Sequence, residues 1–194
     1  NQATTNQFSK LGMPQSVLSS EVFKNALRGT LTRATLQAVY PYLMKLYDLQ
    51  ATNASKSKKL RELRDWALEE FQPDPKYLLE NEAYPYAKAI QTLAQLKNTP
   101  NADDQLKLMA MTGTAILDCI NEYWKNEKKI PMIPDEQMLP LFLYVMSKAG
   151  IPNLASLCNH VDDFVDKQTM QLVGRYPLTM INTALDWALD FPTE

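Results

Sequence analysis

Apolar residues recur along most of the chain at intervals of three and four, which places them on one face of an α-helix. Alternating runs of β-branched residues, which would predict strands, do not occur, and the chain has only five glycines. The pattern therefore predicts an all-α protein. The predicted helices cover residues 15–28, 32–49, 59–71, 76–81, 86–97, 104–126, 136–149, 153–163 and 178–189.

Glycine, proline and polar runs mark the expected ends of these helices. Gly29 is expected to end the first helix, and Pro41 to bend or split the second. A polar loop is expected over residues 51–58. Asp135 is expected to cap the strongly apolar helix that follows it, and Gly150 to end that helix.

The clearest break in the chain contains Pro73 and Pro75. It predicts an N-terminal helical bundle over residues 1–73 and a core over residues 74–194, packed together as one compact body. Because the chain does not begin with methionine, we expect it to be a piece of a longer protein with flanking domains.

Composition narrows the class of protein. Of 194 residues, 45% are apolar and 22% charged, as in ordinary soluble globular domains. A net charge of −2 gives no basic field that would favour nucleic acid. The apolar runs are far shorter than the roughly 20 residues needed to span a bilayer. The two cysteines, Cys119 and Cys158, favour a reducing compartment, and hence a cytoplasmic protein.

Residues for covalent chemistry are scarce. His160 is the only histidine, so a site with several histidine ligands is excluded, and no metal or cofactor is expected. Cys158 lies two residues away and is expected to face another side of the helix, with Cys158 structural and His160 exposed. Phosphate-binding glycine loops, a nucleophile elbow and a dinucleotide fingerprint do not occur. A binding function is what the residues favour.

Two ordered blocks near the C-terminus form a recognisable pattern. In the first, an acidic pair precedes Leu-Pro, an apolar helix, a Lys-Ala turn and a helix that ends in phenylalanine. In the second, glycine and Tyr-x-x-Thr precede another apolar helix. The residues are Leu139, Pro140, Tyr144, Lys148, Ala149, Pro152, Leu154 and Phe164, then Gly174, Tyr176, Thr179 and residues 184–189. Together they resemble the vacuolar protein sorting nine (VPS-nine) domain, strongly from about residue 76 to 191.

The resemblance implies a layered helical fold and a guanine nucleotide exchange factor. Such a domain binds GDP-bound Rab GTPases of the Rab-five subfamily and expels GDP without covalent chemistry. It implies a cytoplasmic protein recruited to early endosomes by flanking domains, acting in endocytosis and vesicle trafficking, with no membrane insertion of its own.

In this family an aspartate at the start of the apolar helix acts as an acidic finger in the GTPase's phosphate-binding site. Glu136 takes that place here, and Asp135 is the neighbouring substitute. GDP is held chiefly by a lysine and Mg²⁺, and a carboxylate can compete for these cations. One such pair is worth about 4 kcal/mol at an effective dielectric near 20. The alternative is that Asp135 only caps the helix and Glu136 only favours its dipole.

The resemblance also implies a partner-binding groove. Tyr176 and Thr179 match residues that contact the GTPase switch region, and Leu178 is expected to add apolar surface. Pro140 is expected to shape one wall of the groove, and Tyr144 to belong to it. The alternatives are a tyrosine packed at a helix start, a threonine N-cap and a proline that only kinks its helix.

Two departures from the family pattern leave other functions open. The finger position holds glutamate in place of aspartate, and the loop before Tyr176 is shorter and more basic, with Arg175. A non-catalytic helical interaction module that kept the fold is therefore one alternative. A helical enzyme that uses carboxylate pairs is another, and it requires four acids to converge on one cavity: Asp135, Glu136, Asp162 and Asp163.

Overall fold

The computed structural model describes residues 20–79, 82–127 and 130–191, and within them it contains eight α-helices and no strand. The predicted all-α class is confirmed. The helices are α1 Glu21–Asp48, α2 Ala51–Glu62, α3 Ala87–Ala94, α4 Ala102–Trp124, α5 Asp135–Ala149, α6 Leu154–Phe164, α7 Lys167–Val173 and α8 Tyr176–Ala188. Short 3₁₀ turns lie at Leu63–Asp65, Leu68–Phe71, Pro75–Tyr77 and Gln95–Asn98.

Residue contacts divide the chain into two units, residues 1–41 and 42–194. In the first, the part described from Ser20 onward belongs largely to α1, and the predicted helix start at residue 15 lies outside the described residues. Helix α1 continues through Gly29 and contains Pro41, so the end predicted at Gly29 is wrong. The predicted division between residues 73 and 74 stays a prediction.

Helix α2 occupies residues where a polar loop was expected. Its buried positions are mostly polar, and long side chains hold it in place. The Lys56 ammonium lies 2.6 Å from the Asp186 carboxylate, and Lys59 donates a hydrogen bond to the backbone carbonyl of Phe191. These partners lie more than a hundred residues away, so apolar periodicity within residues 51–58 could not predict this helix.

Helix α5 lies at the centre of the second unit. It contacts α2, α3, α4, α8 and the two 3₁₀ turns of residues 63–71. Every side chain from Pro140 to Ser147 is buried, as its apolar sequence predicted. Gly150 ends the helix with a left-handed φ of 61°, which confirms its predicted role as the C-terminal cap.

Residues upstream of Pro73 supply part of this core. Phe71 is fully buried, and its ring centroid lies 5.8 Å from both Trp66 and Tyr144. Phe191 completes the cluster, at 5.7 Å from Trp66 and 4.7 Å from Trp187. The 3₁₀ turns of residues 63–71 are therefore integral to the unit that contains α5.

Among the described helices, none is by itself long and apolar enough to cross a bilayer. Helices α5 and α6 are long and apolar enough only when taken together, and the chain bends by 109° between them.

His160 is buried, at 1% exposure, so its predicted exposure is wrong. The Gln105 side-chain nitrogen donates to the Thr99 carbonyl at 2.6 Å, which leaves the Gln105 oxygen to accept from Nδ1–H of His160 at 2.8 Å. Burial lowers the pKa of His160, and the Asp163 carboxylate opposes this shift only in part. Cys158 is buried as a free thiol, and burial raises its pKa to about 12.

We expect the fold to lose stability as the pH falls below about 6.5, the usual pKa of histidine. The lowered pKa means that the unfolded chain takes up a proton that the folded His160 resists, so acid favours unfolding by at most about 1.4 kcal/mol per pH unit for this group. Urea unfolding at pH 7.5 and 5.5 measures the loss. His160→Asn keeps a hydrogen-bond donor for Gln105 but cannot titrate. The variant should therefore lose less free energy of unfolding between pH 7.5 and 5.5 than the wild type does. Equal losses in both proteins would contradict the assignment.

A candidate site at the start of helix α5

Two carboxylates stand at the exposed N-terminus of α5. Asp135 is the first residue of the helix and Glu136 the second, and both are exposed. The N-cap residue is Pro134, and the cap has no side-chain hydrogen bond, so the predicted capping role of Asp135 is wrong. Both carboxylates lie where the positive end of the helix dipole stabilises negative charge.

The two acids differ in their partners. The Tyr176 hydroxyl, from the start of α8, donates a hydrogen bond to Asp135 at 3.3 Å. Partial burial and the nearby Asp135 carboxylate raise the pKa of Tyr176, so it remains a hydroxyl donor at neutral pH. The Glu136 carboxylate forms no hydrogen bond or ion pair within the described ranges. Of the two, Glu136 is therefore the one free to meet another molecule.

The loop that leads into α5 is tied to the segment around Pro75. The backbone N–H of Asp74 donates to the Gln137 side chain at 2.7 Å, and the Tyr77 hydroxyl donates to the Met132 carbonyl at 2.7 Å. The indole of Trp124 donates to the Lys76 carbonyl at 3.1 Å. The first two bonds hold the chain at Met132 and at Gln137, on either side of the acid pair in sequence, so the acids are presented on a fixed backbone.

The predicted groove residues fall into two groups. Tyr176 is 53% exposed and Thr179 is exposed, so both are available to a partner. Pro140, Tyr144 and Leu178 are buried, and the Tyr144 ring packs on Phe71. The role of these three as partner contacts stays a prediction. Thr179 lies inside α8, so the alternative that it is an N-cap is wrong.

The acids considered for an enzyme have separate partners. Arg175 forms an ion pair with Asp162, while Asp163 accepts a hydrogen bond from Tyr47. The positive charge expected in the loop before Tyr176 is thus already paired. Within the residues that the structure describes, no group of three or more histidine, cysteine or acidic side chains could hold a metal ion. The contacts favour a binding surface over a shared acidic cavity.

A family model described as the Vacuolar sorting protein 9 (VPS9) domain matches residues 86–192, more than half of the chain. This chain belongs to the VPS9 domain family. The resemblance expected from the two sequence blocks is confirmed. The matched region contains the acid pair at the start of α5 as well as Tyr176 and Thr179. VPS9 domains are in general exchange-factor domains for Rab GTPases.

One curated relative of this VPS9 domain is a human protein, VPS9 domain-containing protein 1. It is 25% identical over 114 residues, which covers 54% of this chain and 18% of the human protein. The chain thus corresponds to less than a fifth of that relative. No solved structure matches the chain.

Sequence reasoning missed the residues that hold the start of α5 in place in this VPS9 domain. Tyr77, Trp124 and Gln137 form their bonds across 48 to 63 residues of chain. Their partners are backbone groups, which carry no sequence signal of their own. The only hint was a tryptophan at the end of a helix, beside a proline-containing loop.

Proposed function

We propose that this VPS9 domain is a guanine nucleotide exchange factor for Rab GTPases of the Rab-five subfamily. Glu136 is the acidic finger in this proposal, and Asp135 is a neighbouring charge oriented by Tyr176. The observation that carries it is the Glu136 carboxylate, which is exposed on the anchored first turn of α5 and has no partner among the residues that the structure describes.

The chemistry requires only charge and position. Bound GDP is held by a lysine and by Mg²⁺, both positive centres against phosphate. A carboxylate placed among them attracts the lysine and repels the phosphate. About 4 kcal/mol for one such pair corresponds to roughly a thousandfold in nucleotide affinity. Because Glu136 belongs to a helix that is buried along most of its length, its backbone is already ordered, and only side-chain entropy is lost when it binds.

Tyr176 and Thr179 are the proposed contacts to the GTPase switch region. Both are exposed at the start of α8, and the Tyr176–Asp135 hydrogen bond links this surface to the acid pair. Contact with both surfaces would orient the GTPase over Glu136. The cellular setting in the proposal is the cytoplasmic face of early endosomes, with recruitment by flanking domains.

A panel of Rab GTPases loaded with fluorescent mant-GDP tests the proposal. The purified chain, with excess unlabelled GTP, should accelerate GDP release from at least one Rab-five-subfamily member and leave unrelated Rabs at their intrinsic rates. A chain that neither binds nor accelerates any member would contradict the proposed function.

A second candidate is a module that binds a Rab without releasing its nucleotide. The observation that favours it is glutamate at the finger position, one methylene longer than the family's aspartate. Binding to nucleotide-free Rab without faster GDP release is the result that this candidate predicts.

A further inference from the structure

An apolar ridge, residues Ile130, Pro131 and Met132, lies directly before the acid pair. Met132 is 92% exposed and Ile130 is 45% exposed. With Lys76 and Trp124, the ridge lines an open depression of about 500 Å³. Exposed apolar side chains grouped in this way are typical of contact surfaces.

The backbone under the ridge is fixed. Met132 accepts its hydrogen bond from Tyr77, whose side chain is fully buried, and Trp124 is bonded to the neighbouring Lys76 carbonyl. The fold thus anchors the main chain at Met132 while leaving its side chain in solvent. Methionine, unbranched and polarizable, adapts to an irregular apolar partner surface.

The ridge and the acid pair belong to the same end of α5. Met132 is three residues before Asp135, so their Cα atoms are at most about 11 Å apart. A partner that covers both must have an apolar surface beside a cationic site. A GTPase of the family that VPS9 domains act on has a lysine and Mg²⁺ at its nucleotide site.

We propose that the ridge is a second contact for the Rab GTPase, docking on apolar surface beside the nucleotide site while Glu136 enters that site. This inference rests on the proposed exchange function. The two neighbouring features have different roles in this proposal. The ridge contributes affinity for the Rab, and Glu136 displaces GDP.

Charge favours the GTPase over a second copy of this chain as the occupant. In a symmetric dimer the same patch meets itself. Two ridges in contact would bring two acid pairs close together, and like charges at short range oppose association. A cationic nucleotide site has the complementary charge instead.

The test compares Met132→Ser with Met111→Ser in steady-state GDP release. Met111 is 56% exposed on α4, about 20 Å along that helix from Trp124, and serves as the matched control. We expect Met132→Ser to raise KM for the GDP-bound Rab about tenfold, the loss of one partly buried methionine contact, with kcat unchanged. Met111→Ser should match the wild type. Thermal melts establish that both variants are folded.

The outcomes separate this proposal from the exchange function. If the wild type releases GDP and Met132→Ser keeps the wild-type KM, the ridge proposal is overturned and the exchange function stands. If the wild type binds nucleotide-free Rab without releasing GDP, the exchange function fails, and about tenfold weaker binding by Met132→Ser still supports the ridge. If the wild type binds no Rab, both the exchange function and the ridge proposal are overturned. If Met132→Ser abolishes self-association of the chain but leaves KM unchanged, the ridge is a contact between two copies of this chain, and the proposal is overturned.

Discussion

Replacing Glu136 with lysine is expected to abolish the proposed GDP release by this domain without unfolding it. The side chain is exposed and unpaired among the described residues, so its removal breaks no contact of the fold. Loss of an interaction worth about 4 kcal/mol corresponds to roughly a thousandfold slower exchange, and a cation would add repulsion from the GTPase lysine. Mant-GDP release from the responsive Rab measures the effect.

Two further variants at Glu136 separate the effect of charge from that of side-chain size. Glu136→Asp should retain much of the activity because it restores the family's aspartate, whereas Glu136→Gln should lose it. Asp65→Lys is the matched control, since Asp65 is an exposed acid away from α5's first turn, and we expect wild-type exchange from it. If Glu136→Lys and its double variant with Asp135→Lys both exchange at the wild-type rate, the finger assignment is wrong.

Phe71→Ala is expected to destabilise the fold by about 3–5 kcal/mol, the usual loss for a fully buried phenylalanine. Phe71 is 0% exposed and packs on Trp66, Tyr144 and Phe191. It lies outside the family match of residues 86–192, so the prediction tests whether the matched region depends on upstream residues. Urea unfolding followed by circular dichroism gives the free energy directly.

Tyr84→Ala controls for the loss of an aromatic ring as such. Tyr84 is 81% exposed, and its removal should change the free energy of unfolding by no more than about 0.5 kcal/mol. If Phe71→Ala costs as little as Tyr84→Ala, the aromatic cluster contributes nothing to stability.

Periodicity located the helices whose apolar stripe packs on the core, and it failed where other forces form the helix. Helices α4, α5 and α8 lie close to their predicted ranges. The first eight residues of helix α2, 51–58, were missed because lysines hold this helix to distant residues, and the helix predicted over residues 59–71 ends at Glu62 and gives way to 3₁₀ turns. Helix α7 was missed because none of its residues is buried, so no apolar stripe marks it, and the Asp166 side chain caps its start.

The candidate site was predictable in its residues but not in its contacts. The two sequence blocks placed Glu136, Asp135, Tyr176 and Thr179 in one family pattern. The hydrogen bond between Tyr176 and Asp135 joins residues 41 positions apart, and the bonds to Asp74, Lys76 and Met132 involve backbone groups. Such contacts depend on how helices pack, which local spacing does not encode.

The burial of α5 has a consequence for the proposed exchange reaction. A helix enclosed by neighbours along most of its length cannot slide or tilt without opening the core, and closely packed interiors resist such shifts. In the proposed reaction, the domain therefore contacts the GTPase as a rigid element. The deformation that frees the nucleotide must occur within the GTPase, and the compliance of the GTPase switch regions would then decide which Rabs respond fastest.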